Sequence, residues 1–516
     1  MRPTIRTTVV CVLVGAAICI LLTFHRPTLH NFPDIAILAP NAAPIRQPPK
    51  ATAPPLSVPI PAPEILDTMN REELYRLQHR YMENLQIYCP RKRMYGGVGK
   101  GWYACELQRN DDPPHCDAYA IVKEETPESK SFFYELKTDY GCEKHVFLKG
   151  FESDAILAPL NYAVNTTTKH NSNREIYFMV IATDGDEERL VKWMMKRNIL
   201  KHVQQLFVTF HGIDARSNED ELTQHLSILK ALYDHGFRTF HYNLNPKRYY
   251  HFDQRMWTVQ GRYTLYMMRD LPTFPPIVLQ PVEDLKQMSL SQLGELYHSY
   301  MHTSQEFCRN VVRVGQAGDG GWNMCNTTEY RPVKPCLVYS FGINNDWGFD
   351  DAISSEYGCE VHAFDPSMGV NDHKRSEKIY FHNLALSDKN GIINGHWKSK
   401  TLQSIIHSLG HDERIIDIVK MDIEGSEWPA MESFIPSGTL KNIRQLYFEF
   451  HTGITPSENY RTRMINFRKL YDNGFRLFWG HPNPVQVNLG RYVETGRQVS
   501  ACYEEYYINV KLKRLM

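Results

Sequence analysis

The chain has no excess of either charge sign: its 516 residues include 58 basic and 58 acidic ones, a formal net charge of zero. Without a surplus of Lys and Arg there is no broad cationic surface to neutralise phosphates, which argues against nucleic acid as a partner. The 11 cysteines include no Cys-x-x-Cys pair, which argues against a zinc framework. Nor is apolar content low enough for disorder, since hydrophobic residues make up 42%. At roughly 150 residues per domain, the length predicts two or three domains.

What is present begins with one uncharged run, Thr8 to Phe24, in which 10 residues are Val, Leu, Ile or Phe. It lies at the short end of a membrane span, and Arg2 and Arg6 ahead of it place the N-terminus in the cytosol. A cleaved signal peptide is the rival reading, but Phe24-His25-Arg26 lacks the small residues of a cleavage site. Residues 27–64 hold 11 of the 30 prolines, so 27–66 reads as an extended stem. The expected layout is a single-pass type II anchor at 1–26, a stem and a luminal body, as in many Golgi-resident transferases. The sequons at Asn165 and Asn326 and the abundant cysteines suit that compartment.

The luminal part repeats itself. Tyr140-Gly-Cys-Glu-Lys-His-Val-Phe147 returns as Tyr357-Gly-Cys-Glu-Val-His-Ala-Phe364, and Leu232-Tyr-Asp-His-Gly-Phe-Arg238 as Leu470-Tyr-Asp-Asn-Gly-Phe-Arg476. Residues 175–213 align without gaps to 415–453. Cys89, Cys105, Cys116 and Cys142 answer Cys308, Cys325, Cys336 and Cys359. Two copies of one fold are expected, at 67–270 and 287–516, joined by a proline-rich linker at 271–286. Four cysteines per copy suggest two disulfides each, with three connectivities open, and Cys502 has no counterpart.

Apolar runs alternating with helical stretches predict an α/β fold with a mostly parallel, Rossmann-like sheet in each copy. Ligands in such sheets bind at the carboxyl ends of the strands. In the second copy those ends carry polar groups. Val338 to Asp350 reads as strand, glycine turn and helix, with Gly342 at the turn. The next strand ends at Asp365, placed to accept the hydroxyls of a cofactor ribose. Further strands end at Asp422 and Glu424, and at Glu449 and His451. These four are the expected catalytic groups, able to polarise a hydroxyl, hold a cation or face a sulfonium. The blander alternative is helix capping by Glu424 and an ordinary paired His451.

Val419-Lys-Met-Asp-Ile-Glu-Gly-Ser-Glu-Trp428 resembles the hallmark of the FkbM-type S-adenosylmethionine-dependent methyltransferases, and among them the membrane-anchored animal proteins of the methyltransferase-like protein 24 kind. Tyr339–Asp350, Gly358–Pro366 and Phe381–Asp388 resemble the same family's first three strand ends. The resemblance implies a seven-stranded methyltransferase fold with S-adenosylmethionine as cofactor. It implies that Phe341 and Gly342 line the methionine end, that Asp365 holds the ribose, that Leu384 and Ala385 flank the adenine, and that Asp422 lies by the reacting centre. The loop departs from the common three-glycine pattern, having only Gly342 and Gly348.

In the first copy Gly342 corresponds to Glu125, Asp365 to Leu148, Asp422 to Ala182 and Glu449 to Thr209, while His211 and Gly185 keep their places. A buried leucine accepts no hydroxyls, so the first copy is expected to be inactive. Asp184-Gly185-Asp186 mimics a glycosyltransferase Asp-x-Asp motif but aligns with Glu424-Gly425-Ser426. The expectation is a secretory-pathway methyltransferase acting on an oxygen of a glycan or secreted protein, with no metal. The alternative is a non-catalytic ectodomain that binds a glycan or protein.

Overall fold

The computed structural model describes residues 58–514, apart from 98–100, 107–115, 149–174, 212–216, 245–248, 253–256, 261, 270–274, 317–318, 454–456, 484–488 and 492–497. The chain divides into two units, Met1–Thr52 and Ala53–Met516. The first unit, with the anchor expected at 1–26 and most of the stem, lies outside the described residues, as do Asn165 and its sequon. Among the described residues no helix is long and apolar enough to cross a membrane.

Two twisted sheets carry the fold. The first contains β1 (Cys116–Val122), β2 (Glu143–Leu148), β3 (Glu175–Ala182), β4 (Val203–His211), β5 (Arg238–Leu244) and β6 (Arg262–Met268), in the order β2-β1-β3-β4-β6-β5. The second contains β7 (Leu337–Phe341), β8 (Glu360–Phe364), β9 (His373–Lys374), β10 (Ile379–His382), β11 (Ile416–Met421), β12 (Ile443–His451), β13 (Phe475–Pro482) and β14 (Cys502–Asn509), in the order β9-β10-β8-β7-β11-β12-β14-β13. Without β9 and β10 the second order matches the first. In each sheet the last strand of the chain is antiparallel and inserted between its two neighbours. The second sheet is thus the expected seven strands plus the short β9. The first shows six among the described residues.

Central strands such as β7 and β11 are buried along their whole length. Helices on both faces require that, and it explains continuous apolar runs where a half-exposed strand would alternate. Charged residues inside these runs are therefore tied down: Asp417 of β11 takes Arg444 and Arg514 and accepts the Leu337 N–H at 3.2 Å.

Each half has the same local fixtures. The disulfides are Cys89–Cys105 and Cys116–Cys142, and Cys308–Cys325 and Cys336–Cys359, so the first cysteine pairs with the second and the third with the fourth. Cys502 is free and buried. A buried glutamine on β4 clamps the backbone of Cys105 (Gln205, 2.9 and 2.7 Å), and Gln445 on β12 clamps that of Cys325 (3.1 and 3.1 Å).

The halves meet through reciprocal contacts. Leu85 N donates to Arg309 O at 2.7 Å, and Ser304 N donates to Pro90 O at 2.8 Å. Isolated bridges join Asn84 to Asn310 and Arg91 to Thr303. One apolar cluster runs through both halves, from Leu74 and Ile181 to Val338 and Ile508. The junction is no loose tether: Ile277, Leu279 and Leu285 are buried in the second sheet's core, and Arg468 donates to Leu279 O at 2.7 Å.

Candidate active site at the carboxyl edge of the second sheet

β7 ends at Gly342, whose φ is +72°. A Cβ built there falls 1.6 Å from the Asp422 carbonyl oxygen, so only glycine fits. The demand for glycine comes from this close approach of two strand ends. Asp422 N donates to Phe341 O at 3.1 Å, and Lys420 Nζ donates to Gly342 O at 2.7 Å. Asn344 and Asn345 then turn the chain at φ 42° and 60°, before the helix Gly348–Tyr357. Asparagine tolerates this left-handed conformation better than most residues.

Asp365 is buried at the end of β8 and fastens that turn. Its Oδ2 accepts Asn344 N–H at 2.7 Å, and its Oδ1 accepts Ser367 N–H at 2.8 Å and the Ser367 hydroxyl. A carboxylate has about four acceptor positions, so capacity for a ribose hydroxyl remains on Oδ2. The Phe341 ring is 1% exposed and stacks on Phe364 at 4.6 Å, so it packs in the core beneath the edge. Ala385 is buried at the start of the short strand Ala385–Leu386, and Leu384 packs half-buried against the same core.

The acidic groups gather around His451. Its ring nitrogens lie 3.4 Å from Glu424, 3.6 Å from Glu427 and 3.6 Å from Glu449. Oxygens of Asp422 and Glu427 and a nitrogen of His451 all lie within 4.8 Å of one another, as do donor atoms of Glu449, His451 and Cys502. Glu449 is buried and accepts Asn483 Nδ2 at 2.8 Å and the Cys502 thiol at 2.9 Å. Glu424 stands apart, since its side chain is 76% exposed. It sits at φ 54°, shaping the turn with Gly425.

Burial pushes the carboxyls of Asp422 and Glu449 upward, and their neighbouring carboxylates push the same way. Burial works against the charged form of His451, but Glu427, Glu449 and Glu424 outweigh it and hold the imidazole protonated above its usual range. Both His451 nitrogens and Glu427 Oε2 are buried without a hydrogen-bond partner. The edge thus combines a weakened Asp422 acid, a protonated Glu449 and a cationic His451 beside Glu427.

The first half supplies a contrast. His211 Nδ1 lies 2.9 Å from Glu187 and its Nε2 lies 3.0 Å from Asp184. Glu187 accepts Thr183 N–H at 2.8 Å, as Glu427 accepts Ile423 N–H at 2.7 Å. The acid–imidazole brace therefore stands where Asp422 and Glu449 are replaced by Ala182 and Thr209. It holds a helix start to a strand end, which is a structural task that His451 and Glu427 share. Leu148 is 40% exposed and not buried as expected, though its side chain still accepts no hydrogen bond. Asp184 pairs with Lys123 and His211, so the Asp-x-Asp motif is spent on that brace.

Reading the sequence missed Glu427, Lys420, Asp350 and the Cys502–Glu449 contact. A lysine inside the apolar run of β11 was a signal for the second. Asn483 and Cys502 lie far along the chain from Glu449 and gave none.

The mostly parallel sheet is a Rossmann-like α/β arrangement, and ligands of such sheets characteristically bind at the carboxyl edge where the strand order switches. Residues 287–493 match the family described as "Methyltransferase domain", so this half of the chain is similar to methyltransferases. The chain is 27% identical over 260 residues to a probable methyltransferase-like protein 24 of Homo sapiens, covering 46% of this chain and 70% of that protein. It is 29% identical over 245 residues to the Rattus norvegicus protein so described, covering 43% and 67%. A solved phosphoethanolamine N-methyltransferase 2 of Haemonchus contortus, in complex with S-adenosylhomocysteine, aligns over 71% of this chain and 79% of its own at 9% identity and a TM-score of 0.20.

Proposed function

We propose that the second half binds S-adenosylmethionine and transfers its methyl group to an oxygen, on a glycan or secreted protein in the secretory pathway. The match of residues 287–493 to a methyltransferase domain family carries this reading. We further read the chain as a duplication whose first half is inactive, supported by the matched strand orders and disulfides.

When bound, the cofactor supplies an electrophilic methyl carbon. The chain's own groups then hold the acceptor in line, and that orientation provides much of the rate. Asp422 is the group fit to take the acceptor's proton. Glu449 is kept protonated by burial, and His451 by its carboxylate neighbours, so neither is a free base near neutrality. Asp422, with its acidity weakened but not lost, suits general-base work. Asp365 and Asn344 hold the loop under the cofactor.

One observation favours a second reading, a non-catalytic ectodomain: both Asp365 oxygens already accept protein donors. Calorimetric titration of the whole chain with S-adenosylmethionine and S-adenosylhomocysteine separates the two. Binding of about one cofactor per chain, weakened in Asp365→Asn and unaffected by Leu148→Ala, supports methyl transfer. No heat from a folded chain favours the second reading.

A further inference from the structure

The repeated Tyr-Gly-Cys-Glu-x-His motif is not absorbed by the carboxyl edge. In the second half its Glu360 begins β8, at the sheet end opposite Asp422, and its His362 follows on the same strand. His411, between the helix Leu402–Ser408 and β11, joins them. His362 Nε2 lies 3.0 Å from Glu360 Oε1, and His411 Nε2 lies 3.6 Å from that oxygen. All three donor atoms fall within 4.8 Å of one another.

We propose that Glu360, His362 and His411 form a zinc-class metal site. Ligands about 2.1 Å from a tetrahedral ion stand about 3.4 Å from each other, and the observed spacings bracket that value. The imidazoles are also oriented for it. Tyr339 OH bonds His411 Nδ1 at 2.7 Å, and His382 Nε2 bonds His362 Nδ1 at 2.9 Å, leaving both Nε2 atoms turned inward. Such outer partners are the usual support of metal-binding histidines. Both histidines are buried, whereas Glu360 is 35% exposed, so a fourth position opens to water. Arg414 Nη1 sits 3.0 Å from Glu360 and 3.2 Å from His411 Nε2. It is the cation that the ion would displace, and its side chain is 36% exposed and free to swing outward. In the first half Asp117, Glu143 and His145 also bring donor atoms within 4.8 Å of one another, but that set has a single imidazole, His145 bonds Asp117 at 2.8 Å and Glu143 is exposed. The proposed ion would tie β8 to the start of β11 through β7. The site stands apart from methyl transfer.

The test is zinc content of the full chain after chelator stripping, reloading with zinc sulfate and dialysis. About one zinc per chain is expected, lost in H411Q and kept in H145Q. R414A removes a competing, partly exposed ion pair and should bind zinc about two- to fivefold tighter. Wild-type chain that retains no zinc overturns the site, and so does zinc that survives H411Q but leaves with H451Q. Should H411Q fail to fold, unchanged or weaker zinc binding in R414A overturns it as well.

Discussion

Asp422 and Asp350 are two aspartates given different tasks by their surroundings. Asp422 lies at the strand end, among acids and one imidazole. Asp422→Asn keeps the shape and removes the base proposed above. Methyl transfer should fall about 10²- to 10⁴-fold, with S-adenosylhomocysteine affinity changed little. Single-turnover rates beside calorimetry check this, and a variant of near wild-type rate would remove Asp422 from the mechanism. Asp350, 1% exposed, lies beneath the glycine turn. Burial pushes its carboxyl up to about 7, with Lys420 pulling it down. The folded value thus exceeds the unfolded one near 3.9. The native state binds the extra proton between them, so this carboxyl's contribution to stability is lost as pH rises from about 4 to about 7. Asp350→Asn should flatten that part of the profile and gain on the order of 2–4 kcal/mol at about pH 8. Urea midpoints measured across that range decide it; a parent-like slope counts against a buried acid at this position.

At the scale of elements, two of the four disulfides, Cys116–Cys142 and Cys336–Cys359, hold the starts of parallel strands together. Cys336–Cys359 joins β7 to β8 across a helix and closes a separation of 23 residues. Opening it by a double change to alanine should cost about 3 kcal/mol, chiefly through a freer unfolded chain. The denaturant midpoint should fall and the slope with denaturant should rise somewhat, because the freed unfolded chain exposes more surface. A change below about 0.5 kcal/mol would mean that the helix Gly348–Tyr357 alone fixes the two strands. The brace of Glu427 and His451 works on the same scale. It pins the start of the helix Glu427–Phe434 to the end of β12 and recurs in the first half as Glu187 and His211. A residue can thus line a site for reasons of folding and still set the charge there.

For the whole molecule, the reciprocal contacts bind the halves into one cooperative body. Gln86 takes the Thr239 backbone in the first half as Gln305 takes that of Leu477 in the second. Lys92 of the first half lies 4.2 Å from the Trp479 ring of the second. With one apolar cluster running through both, calorimetry of the full chain should show a single unfolding transition with disulfides intact. Two separated transitions would show that the first half is an appendage.

The sequence by itself determined the repeat, the alternation of strands and helices, and the strand ends at Gly342, Asp365, Asp422 and Glu449. These depend on local pattern: apolar runs, turn residues and the order in which they come. It left open the disulfide pairing and took Leu148 for a buried residue. Only the tertiary structure decided those, because burial and pairing depend on which distant segments arrive. β14 inserts between β12 and β13, and that insertion brings Cys502 to Glu449. His411 reaches His362 through the crossover before β11. Gly342 is indispensable for the approach of Asp422, a contact made between strands far apart in the chain.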